Sequence, residues 1–231
     1  RATRDRLIAE DPRSAELLKP FLRGRDVKRW RVAFVDQYLI KIESSANKQH
    51  PWSGQADKEA ERIFAATYPA IHRLLSIYRQ GLIGRADQGQ YFWELRACAY
   101  WEEFERPKII YPNICRRNEF AWDSWEYYSN QKTFIIPNTS TYLLAILNSS
   151  VVTWLFDKLL AKLQNGYYEP SAVFLEKFPI PVASDTKPLE QLAEQTLIQA
   201  RLDPSIDISD LEREIDQLVY ALYNLTDAEI A

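Results

Sequence analysis

The spacing of hydrophobic residues predicts helices in several parts of the chain. After Pro69, apolar residues recur at i, i+3, i+4 and i+7, which places them on one face of a helix; they are Ile71, Leu74, Leu75 and Tyr78. Further helices are predicted over 1–18, 57–67 and 142–163, and two more after residue 187. Capping-box spacings predict that the second of these begins at Ser209 with Glu212, and that another begins at Thr226 with Glu229.

Strands are predicted where β-branched and aromatic residues form short runs between polar turns. These runs are 32–42, 91–95, 108–111, 119–122 and 133–136. The mixture of helices and strands predicts an α+β fold with a mixed or mostly antiparallel sheet. We expect a body over residues 1–183 and a helical C-terminal segment over residues 184–231.

The composition is typical of a folded domain. Apolar residues make up 46% of the chain and aromatic residues 13%, which is enough for a packed core. The chain begins with Arg1 and contains no methionine, so we expect it to be a piece of a longer polypeptide. The longest apolar run, 142–156, is interrupted by polar residues and predicts a buried helix instead of a membrane span. Two cysteines do not make a disulfide framework, and we expect a cytoplasmic protein.

Charge is distributed unevenly along the chain. The net charge is −3, but the residues from Ser184 onward carry eleven acidic and three basic side chains, a local balance of −8. The preceding residues therefore carry a balance of +5. A mildly basic body with an acidic tail suits a chain that contacts a polyanion on one side.

The sequence lacks the motifs of several catalytic classes. It contains no Gly-x-Gly-x-x-Gly and no P-loop, which excludes nucleotide sites of those kinds. Two histidines, His50 and His72, and two cysteines, Cys98 and Cys115, do not have the spacing of a zinc site. We therefore predict no catalytic residue, no metal ion and no cofactor in this chain.

A cluster of basic residues occupies positions 19–31, with only Asp26 opposing it. Arginine guanidinium groups suit phosphate oxygens and the acceptor edge of guanine, and Gly24 allows close backbone approach. We expect Arg23, Arg25, Lys28 and Arg29 to contact a nucleic-acid backbone. The alternative is an ordinary solvated turn.

Basic and aromatic residues also alternate between positions 85 and 128, an arrangement that can pair with phosphates and stack on bases. We expect DNA contacts from Arg85, Tyr91, Trp93, Arg96, Lys108, Arg116 and Arg117. Among these, Arg116, Arg117 and the loop 84–91 are the candidates for base contacts. The alternative is that most of the aromatic side chains form the core; the region also holds Tyr100, Trp101, Tyr111, Trp122, Trp125, Tyr127 and Tyr128. Arg96 could equally form an ion pair with Glu94 or Glu103.

Five segments resemble, in order and spacing, the TaqI-like C-terminal specificity domain. They are Lys-Pro-Phe-Leu-Arg-Gly-Arg-Asp-Val-Lys-Arg-Trp (19–30), Trp-Glu-Leu-Arg (93–96), Arg-Pro-Lys-Ile-Ile-Tyr-Pro (106–112), Tyr-Leu-Leu-Ala-Ile-Leu-Asn-Ser (142–149) and Phe-Leu-Glu-Lys-Phe-Pro-Ile-Pro (174–181). The stretch 215–226 is also similar to the usual end of such proteins. The resemblance spans nearly the whole chain.

The resemblance implies a domain that grips double-stranded DNA and recognises a short sequence. It further implies an N-terminal catalytic domain in the same polypeptide, which would flip an adenine out of the duplex and methylate it from S-adenosylmethionine. That domain needs an Asn-Pro-Pro-Tyr-type motif, which this chain lacks. The parent is thus expected to be an adenine-specific DNA methyltransferase or a fused restriction–modification enzyme. The alternative is a protein–protein docking module of a restriction–modification or phage-defence complex.

Overall fold

The computed structural model describes residues 1–124 and 127–230 and divides into two compact units. The first unit comprises Arg1–Phe21 and Asp36–Glu102, and the second comprises Leu22–Val35 and Glu103–Ala231. Trp125, which belongs to the aromatic pattern of the sequence, lies outside the described residues. The expected boundary at 183/184 does not coincide with a boundary between the two units, because residues on both sides of it belong to the second unit.

Helices account for most of the regular structure in the described residues. In chain order they are α1 (Ala2–Glu10), α2 (Ser14–Leu17), α3 (Asp57–Thr67), α4 (Pro69–Ile77), α5 (Arg79–Ile83), α6 (Thr141–Leu147), α7 (Ser150–Leu159), α8 (Ala172–Leu175), α9 (Lys187–Leu202), α10 (Ser209–Leu222) and α11 (Asp227–Ile230). Short 3-10 helices span Gly24–Asp26, Trp101–Glu105 and Gln164–Gly166.

The strands are short and are concentrated in two parts of the chain. They are β1 (Leu18–Leu22), β2 (Val27–Lys28), β3 (Arg31–Val32), β4 (Tyr38–Ile40), β5 (Lys108–Pro112), β6 (Ala121–Asp123), β7 (Tyr128–Ser129) and β8 (Thr133–Pro137). The mixture of helices with small sheets confirms the predicted α+β class.

The first unit is built around an aromatic core. Its strand pair is antiparallel, with Leu18 of β1 opposite Ile40 of β4. Helix α3 spans residues 57–67 as predicted, and α4 begins at Pro69, whose missing N–H suits the first turn of a helix. The apolar face of α4 is confirmed at Ile71, which is fully buried, but not at Tyr78, which follows the helix and is 60% exposed.

Residues 91–95 do not form the predicted strand. They form turns, with a single antiparallel bridge between Gln88 and Leu95. A half-buried strand exposes alternate side chains, whereas Tyr91, Phe92 and Trp93 are all buried here. The apolar run therefore predicted correctly that these residues are buried, but they are buried in a compact turn and not in a strand.

The second unit contains an antiparallel sheet with β5 at its centre. Ile109 of β5 lies opposite Trp122 of β6 on one side and opposite Ile136 of β8 on the other. All five residues of β5 are buried, as expected of a central strand covered on both faces. The predicted strands at 108–111, 119–122 and 133–136 thus correspond to one sheet. A separate hairpin pairs Val27 of β2 with Val32 of β3.

The long helix predicted over residues 142–163 is instead two helices, α6 and α7. Between them, the side-chain amide of Asn148 donates to the Phe120 carbonyl at 2.9 Å and accepts from the Phe120 N–H at 3.2 Å. The Ser149 hydroxyl then caps α7 by accepting from the N–H of Val152. Both residues thus favour a break that hydrophobic spacing alone does not indicate.

The two predicted capping boxes have different outcomes. Helix α10 begins at Ser209 as predicted, but the capping box does not form there, because Ile208 occupies the cap position without a side-chain hydrogen bond. At Thr226, helix α11 follows as predicted and half of the box forms: the Glu229 carboxylate accepts from the Thr226 N–H at 2.9 Å, while the Thr226 hydroxyl donates to the same carboxylate at 2.8 Å.

Candidate nucleic-acid interface

A cationic groove lies on the second unit. Its volume is about 590 Å³, and its lining brings together the 3-10 turn at 24–26, the loop between β5 and β6, and the turn before β8. Five cations line the groove, opposed within it by one carboxylate, Glu119; the cations are Arg23, Arg25, Lys28, Arg116 and Lys132. Asn113, Ile114, Asn130 and Tyr167 complete its accessible walls.

Gly24 allows the basic turn to approach its neighbour closely. A β-carbon built at Gly24 would lie 2.6 Å from the backbone carbonyl oxygen of Lys132, a distance that real structures do not tolerate. The same Lys132 carbonyl accepts the N–H of Asn113 at 3.0 Å. The sequence predicted a close backbone approach at Gly24, and the structure shows that the approaching group belongs to the protein itself.

Arg23 is held by Asp26 within the basic turn. The Nε and Nη2 groups of Arg23 each donate to a different carboxylate oxygen of Asp26 at 2.9 Å, and the Arg23 N–H donates to the same carboxylate. Burial raises the pKa of Asp26, but the hydrogen bonds from Arg23 outweigh it and the pKa lies below its ordinary value. Arg23 therefore shapes the turn, while Arg25 is exposed and Lys28 is half-exposed.

Glu212 of helix α10 fixes the hairpin between β2 and β3. Its Oε1 accepts from Arg29 Nε at 2.5 Å and from Trp30 Nε1 at 2.7 Å. Trp30 is fully buried and has a φ of 67°, an unusual backbone conformation for a large side chain. Burial lowers the pKa of Arg29, although the Glu212 carboxylate opposes this effect. The structure thus gives Arg29 an internal carboxylate partner instead of leaving it open for the predicted backbone contact.

Two buried residues anchor the loop at 113–119. Cys115 forms an antiparallel bridge with Tyr168, with N–H to carbonyl distances of 3.1 and 2.8 Å. The side-chain amide of Asn118 donates to the carbonyls of Leu147 and Ser149, both at 2.9 Å. Between and beside these anchors, Ile114, Arg116 and Arg117 are exposed.

Arg116 and Lys132 are the outward-facing cations on the loop side of the groove. The Arg116 guanidinium lies over the ring of Tyr167, with its central carbon 4.9 Å from the ring centroid. Lys132 is exposed and lines the groove, but sequence analysis missed it. An isolated lysine gives no local signal, and only the contact between its carbonyl and the basic turn identifies its place.

A second, smaller groove adjoins the first along Lys28 and Glu119, which line both. Its volume is about 220 Å³. The exposed Arg117 and the half-exposed Arg31 contribute to it, together with the connection between α9 and α10. Basic side chains therefore continue along the surface beyond the first groove.

Lys108 is a correction to the predicted site. Its side chain is fully buried and its Nζ lies 2.7 Å from the carboxylate of Asp123, which is also fully buried. Nζ also donates to the Phe104 carbonyl at 2.6 Å. A lysine saturated in this way inside the sheet is not part of the surface that DNA could contact.

Tyr91 and Trp93 are also interior residues, in the first unit. Trp93 is stacked between Phe64 and Tyr91, with ring centroids 4.9 Å away on each side. The Tyr91 hydroxyl donates to the carbonyls of Trp52 and Gln55. The alternative that these rings belong to the core is therefore correct, and neither ring is available to stack on a base.

Arg85 and Glu94 organise the loop that the sequence predicted to contact bases. Arg85 donates to the carbonyls of Phe92 and Glu94 at 3.0 and 2.9 Å. The fully buried Glu94 carboxylate accepts from the Trp52 indole at 2.9 Å and from the Gln90 N–H at 2.9 Å. Arg96 is exposed and remains a candidate for DNA contact. The sequence indicated Glu94 only as a possible partner of Arg96.

The remaining chemistry of the described residues is limited. Burial, with the nearby charge of Glu119, raises the pKa of the Cys115 thiol to about 12, so the thiol is neutral at physiological pH. Within residues 1–124 and 127–230, no group of three or more His, Cys, Asp or Glu side chains is placed to hold a metal ion. Over the same residues, every helix is too short or too polar to span a bilayer.

A solved protein shares this fold. It is described as the type IIL restriction–modification enzyme MmeI, in a structure with DNA; the superposition has a TM-score of 0.61 at 14% sequence identity. The alignment covers 96% of this chain but only 30% of the MmeI chain, so the present chain spans less than a third of that enzyme. None of the curated protein sequences matches the chain.

The family is established by the sequence itself. The model of the TaqI-like C-terminal specificity domain matches residues 19–180, which hold all five segments of the resemblance apart from the final residue. The matched range includes both walls of the cationic groove. The chain belongs to the TaqI-like C-terminal specificity domain family.

Proposed function

We propose that this chain is the part of a restriction–modification protein that recognises a target sequence in double-stranded DNA. The observation that carries the proposal is the cationic groove of the second unit, where five basic side chains meet one carboxylate. A groove lined by cations attracts a polyanion and raises its local concentration. Membership of a specificity-domain family, and a shared fold with an enzyme solved in a complex with DNA, both support DNA as that polyanion.

Within the groove, Arg25, Lys28 and Lys132 are the proposed contacts to the phosphate backbone. Arg25 and Lys132 are exposed, and Lys28 is half-exposed at the junction of the two grooves. Phosphate contacts position a protein on a duplex without selecting a sequence. Arg23 and Arg29 each form an ion pair with a carboxylate of the protein and stabilise the segments that carry these contacts. Arg117 extends the basic surface into the second groove.

The catalytic step is assigned to a separate N-terminal domain of the same polypeptide. We propose that the parent is an adenine-specific DNA methyltransferase acting in the cytoplasm, which takes its methyl group from S-adenosylmethionine. The lining of the groove does not fit that cofactor, because the sulfonium of the cofactor carries a positive charge and the groove is itself cationic. No methyl-transfer step is therefore assigned to this chain, and its own role is to bind and orient the duplex.

Salt-dependent binding tests the proposal. The full chain should bind a pool of duplex DNA, and its affinity should fall steeply as the salt concentration rises, because bound cations are released from the phosphates. A variant carrying Arg25→Ala and Lys132→Ala should bind all sequences more weakly. The slope of log affinity against log salt should become shallower by about 0.9 for each phosphate that the variant no longer neutralises.

Lys187→Ala is the matched control. Lys187 is exposed in the second unit, at the start of α9, and it lines neither groove. Its removal changes the net charge by the same amount per residue and should leave the salt slope unchanged. Absence of duplex binding at low salt would reject the proposal in favour of a protein-docking module, and equal effects of groove and control variants would reject the assignment of the groove.

A further inference from the structure

We infer that Arg116 recognises a guanine in the DNA target and that Tyr167 is a positioning residue for it. The inference rests on the proposed function and adds to it a chemical class of base and a residue that selects it. Its basis is the position of the Arg116 side chain over the Tyr167 ring, the backbone and side-chain contacts that hold its loop, and the mixed chemistry of the groove that Arg116 lines.

The Arg116 guanidinium group lies over the ring of Tyr167. The central carbon of Arg116 lies 4.9 Å from the centroid of the Tyr167 ring, within the range of a cation–π contact. This contact restrains the position of the guanidinium group without a hydrogen-bond acceptor, and because Arg116 is exposed its N–H donors can reach a ligand. Those donors match the O6 and N7 acceptors that guanine presents in the major groove.

The loop beneath Arg116 is held at the residues on either side. Cys115 is hydrogen-bonded through its backbone to Tyr168, the residue after Tyr167, with N–H to carbonyl distances of 3.1 and 2.8 Å. Asn118 is fixed by its buried amide, which also accepts from the Thr153 hydroxyl at 2.9 Å. The bridge between Cys115 and Tyr168 thus places Arg116 beside the ring that orients it. A site that recognises bases needs this kind of rigid support.

The groove contains groups that suit base edges better than phosphates. Glu119 lines it, and a carboxylate would repel a phosphate but can accept a hydrogen bond from the amino group of cytosine, the partner of guanine. Asn113 and Asn130 offer paired donors and acceptors, and Ile114 is 46% exposed. Arg25 and Lys132, by contrast, are exposed cations on the walls of the groove and suit phosphate as simple charges.

Selection from a pool of randomised duplexes tests this inference on the full chain. The wild-type protein should enrich a motif that contains at least one strongly preferred guanine. The variant Arg116→Lys keeps the charge but loses the planar pair of donors. It should lose the preference at one guanine position by about 5- to 150-fold while retaining the rest of the motif.

Replacement of that guanine by 7-deazaguanine tests the individual atoms. The modified base lacks the N7 acceptor, so wild-type affinity should fall by up to about 10-fold at this position. The Arg116→Lys variant should show no such penalty there. Tyr167→Phe keeps the ring and should retain the preference, whereas Tyr167→Leu should weaken it even though Arg116 is still present.

Controls separate the inference from the proposed function. Arg213→Lys should leave the preferred motif unchanged, because Arg213 is an exposed arginine of the second unit that lines neither groove. If the wild type enriches a motif and Arg116→Lys enriches the same one, Arg116 does not select a base although the chain still recognises DNA. If the wild type binds duplexes without any motif, base recognition by this groove is rejected. If it binds no duplex at all, both proposals fail. Circular dichroism checks that Tyr167→Leu is folded. If Tyr167→Leu unfolds, the result of Arg116→Lys decides the inference.

Discussion

The segment 85–96 of the first unit and the loop 113–119 of the second both carry arginines, but the structure uses these arginines differently. Both contain arginines near buried residues, and the sequence predicts DNA contacts from both. In the first segment, Arg85 donates to backbone carbonyls and Glu94 accepts from groups on three sides. In the loop, only Cys115 and Asn118 are buried, and the arginines between and beside them are exposed.

The comparison shows that the partners of a side chain, and not its residue type, decide whether it can bind a ligand. A donor already satisfied inside the protein gains nothing from DNA unless it first loses its internal partner. Arg85 and Lys108 are in that position, whereas Arg116 is exposed and lies over the ring of Tyr167. Interleaved basic and aromatic residues therefore predict either a core or an interface, and the sequence cannot separate the two by composition.

Glu94→Ala should give the largest effect, a loss of about 3–5 kcal/mol in the free energy of unfolding. The substitution leaves the Trp52 indole and the N–H groups of Ser45 and Gln90 without their acceptor inside the protein. Hydrogen exchange followed by mass spectrometry should show faster exchange in the first unit and little change in the loop 113–119. Asp87→Ala, an exposed acid of the same segment, is the control and should have an effect within about 0.5 kcal/mol.

Asn118→Ala should destabilise the second unit by about 2–4 kcal/mol, because it leaves two buried carbonyls and the Thr153 hydroxyl without partners. The substitution should also reduce the preference for the target sequence more than it reduces the affinity for DNA of any sequence, since the loop that carries Arg116 loses an anchor. Chemical denaturation and duplex selection measure the two effects. Asn113→Ala, in the same loop but half-exposed, should change stability little; an equal loss from both would contradict the role of Asn118 as an anchor.

Gly24→Ala should cost about 1–2 kcal/mol of stability, because the new methyl group would be forced against the Lys132 carbonyl. The resulting shift moves Arg25 and Lys28 away from the turn that carries Lys132, so DNA affinity should fall as well. Gly81→Ala is the control: nothing among the described residues lies within 4 Å of a β-carbon there, and alanine favours the helix α5. Similar melting temperatures for the two variants would show that the close approach is not needed.

The smallest effect is expected from acidification of the pair formed by Arg23 and Asp26. Because the pKa of Asp26 is lowered in the folded protein, its contribution to stability is present above the ordinary value of 3.8 and is lost as the pH falls through the lower folded value. The melting temperature of the wild type should therefore fall more steeply below about pH 4 than that of Asp26→Asn. Parallel curves for the two proteins would show that the pair contributes nothing to stability.

Hydrophobic spacing predicted the helices well where the apolar face of the helix packs against the core. Helix α3 has the predicted bounds, and the three strands of the β5 sheet lie where β-branched runs occur. Two of the failures have a common cause. Asn148 ends a helix by pairing with Phe120, and Glu212 forgoes its cap to bind Arg29 and Trp30. In each case a polar side chain bonds to a residue distant in sequence, which no local pattern records.

The sequence by itself determined the fold class, the family and the presence of a basic turn, because apolar periodicity and motif order are local properties of the chain. Only the tertiary structure decided which cations face outward. Lys132 joins the groove through its contact with Gly24, and Arg29 is withdrawn from it by Glu212, a residue 183 positions further along the chain. The sequence specifies which residues are charged. A charged group is free to bind a ligand only if folding leaves it without an internal partner, and this depends on contacts between residues that are distant in the sequence.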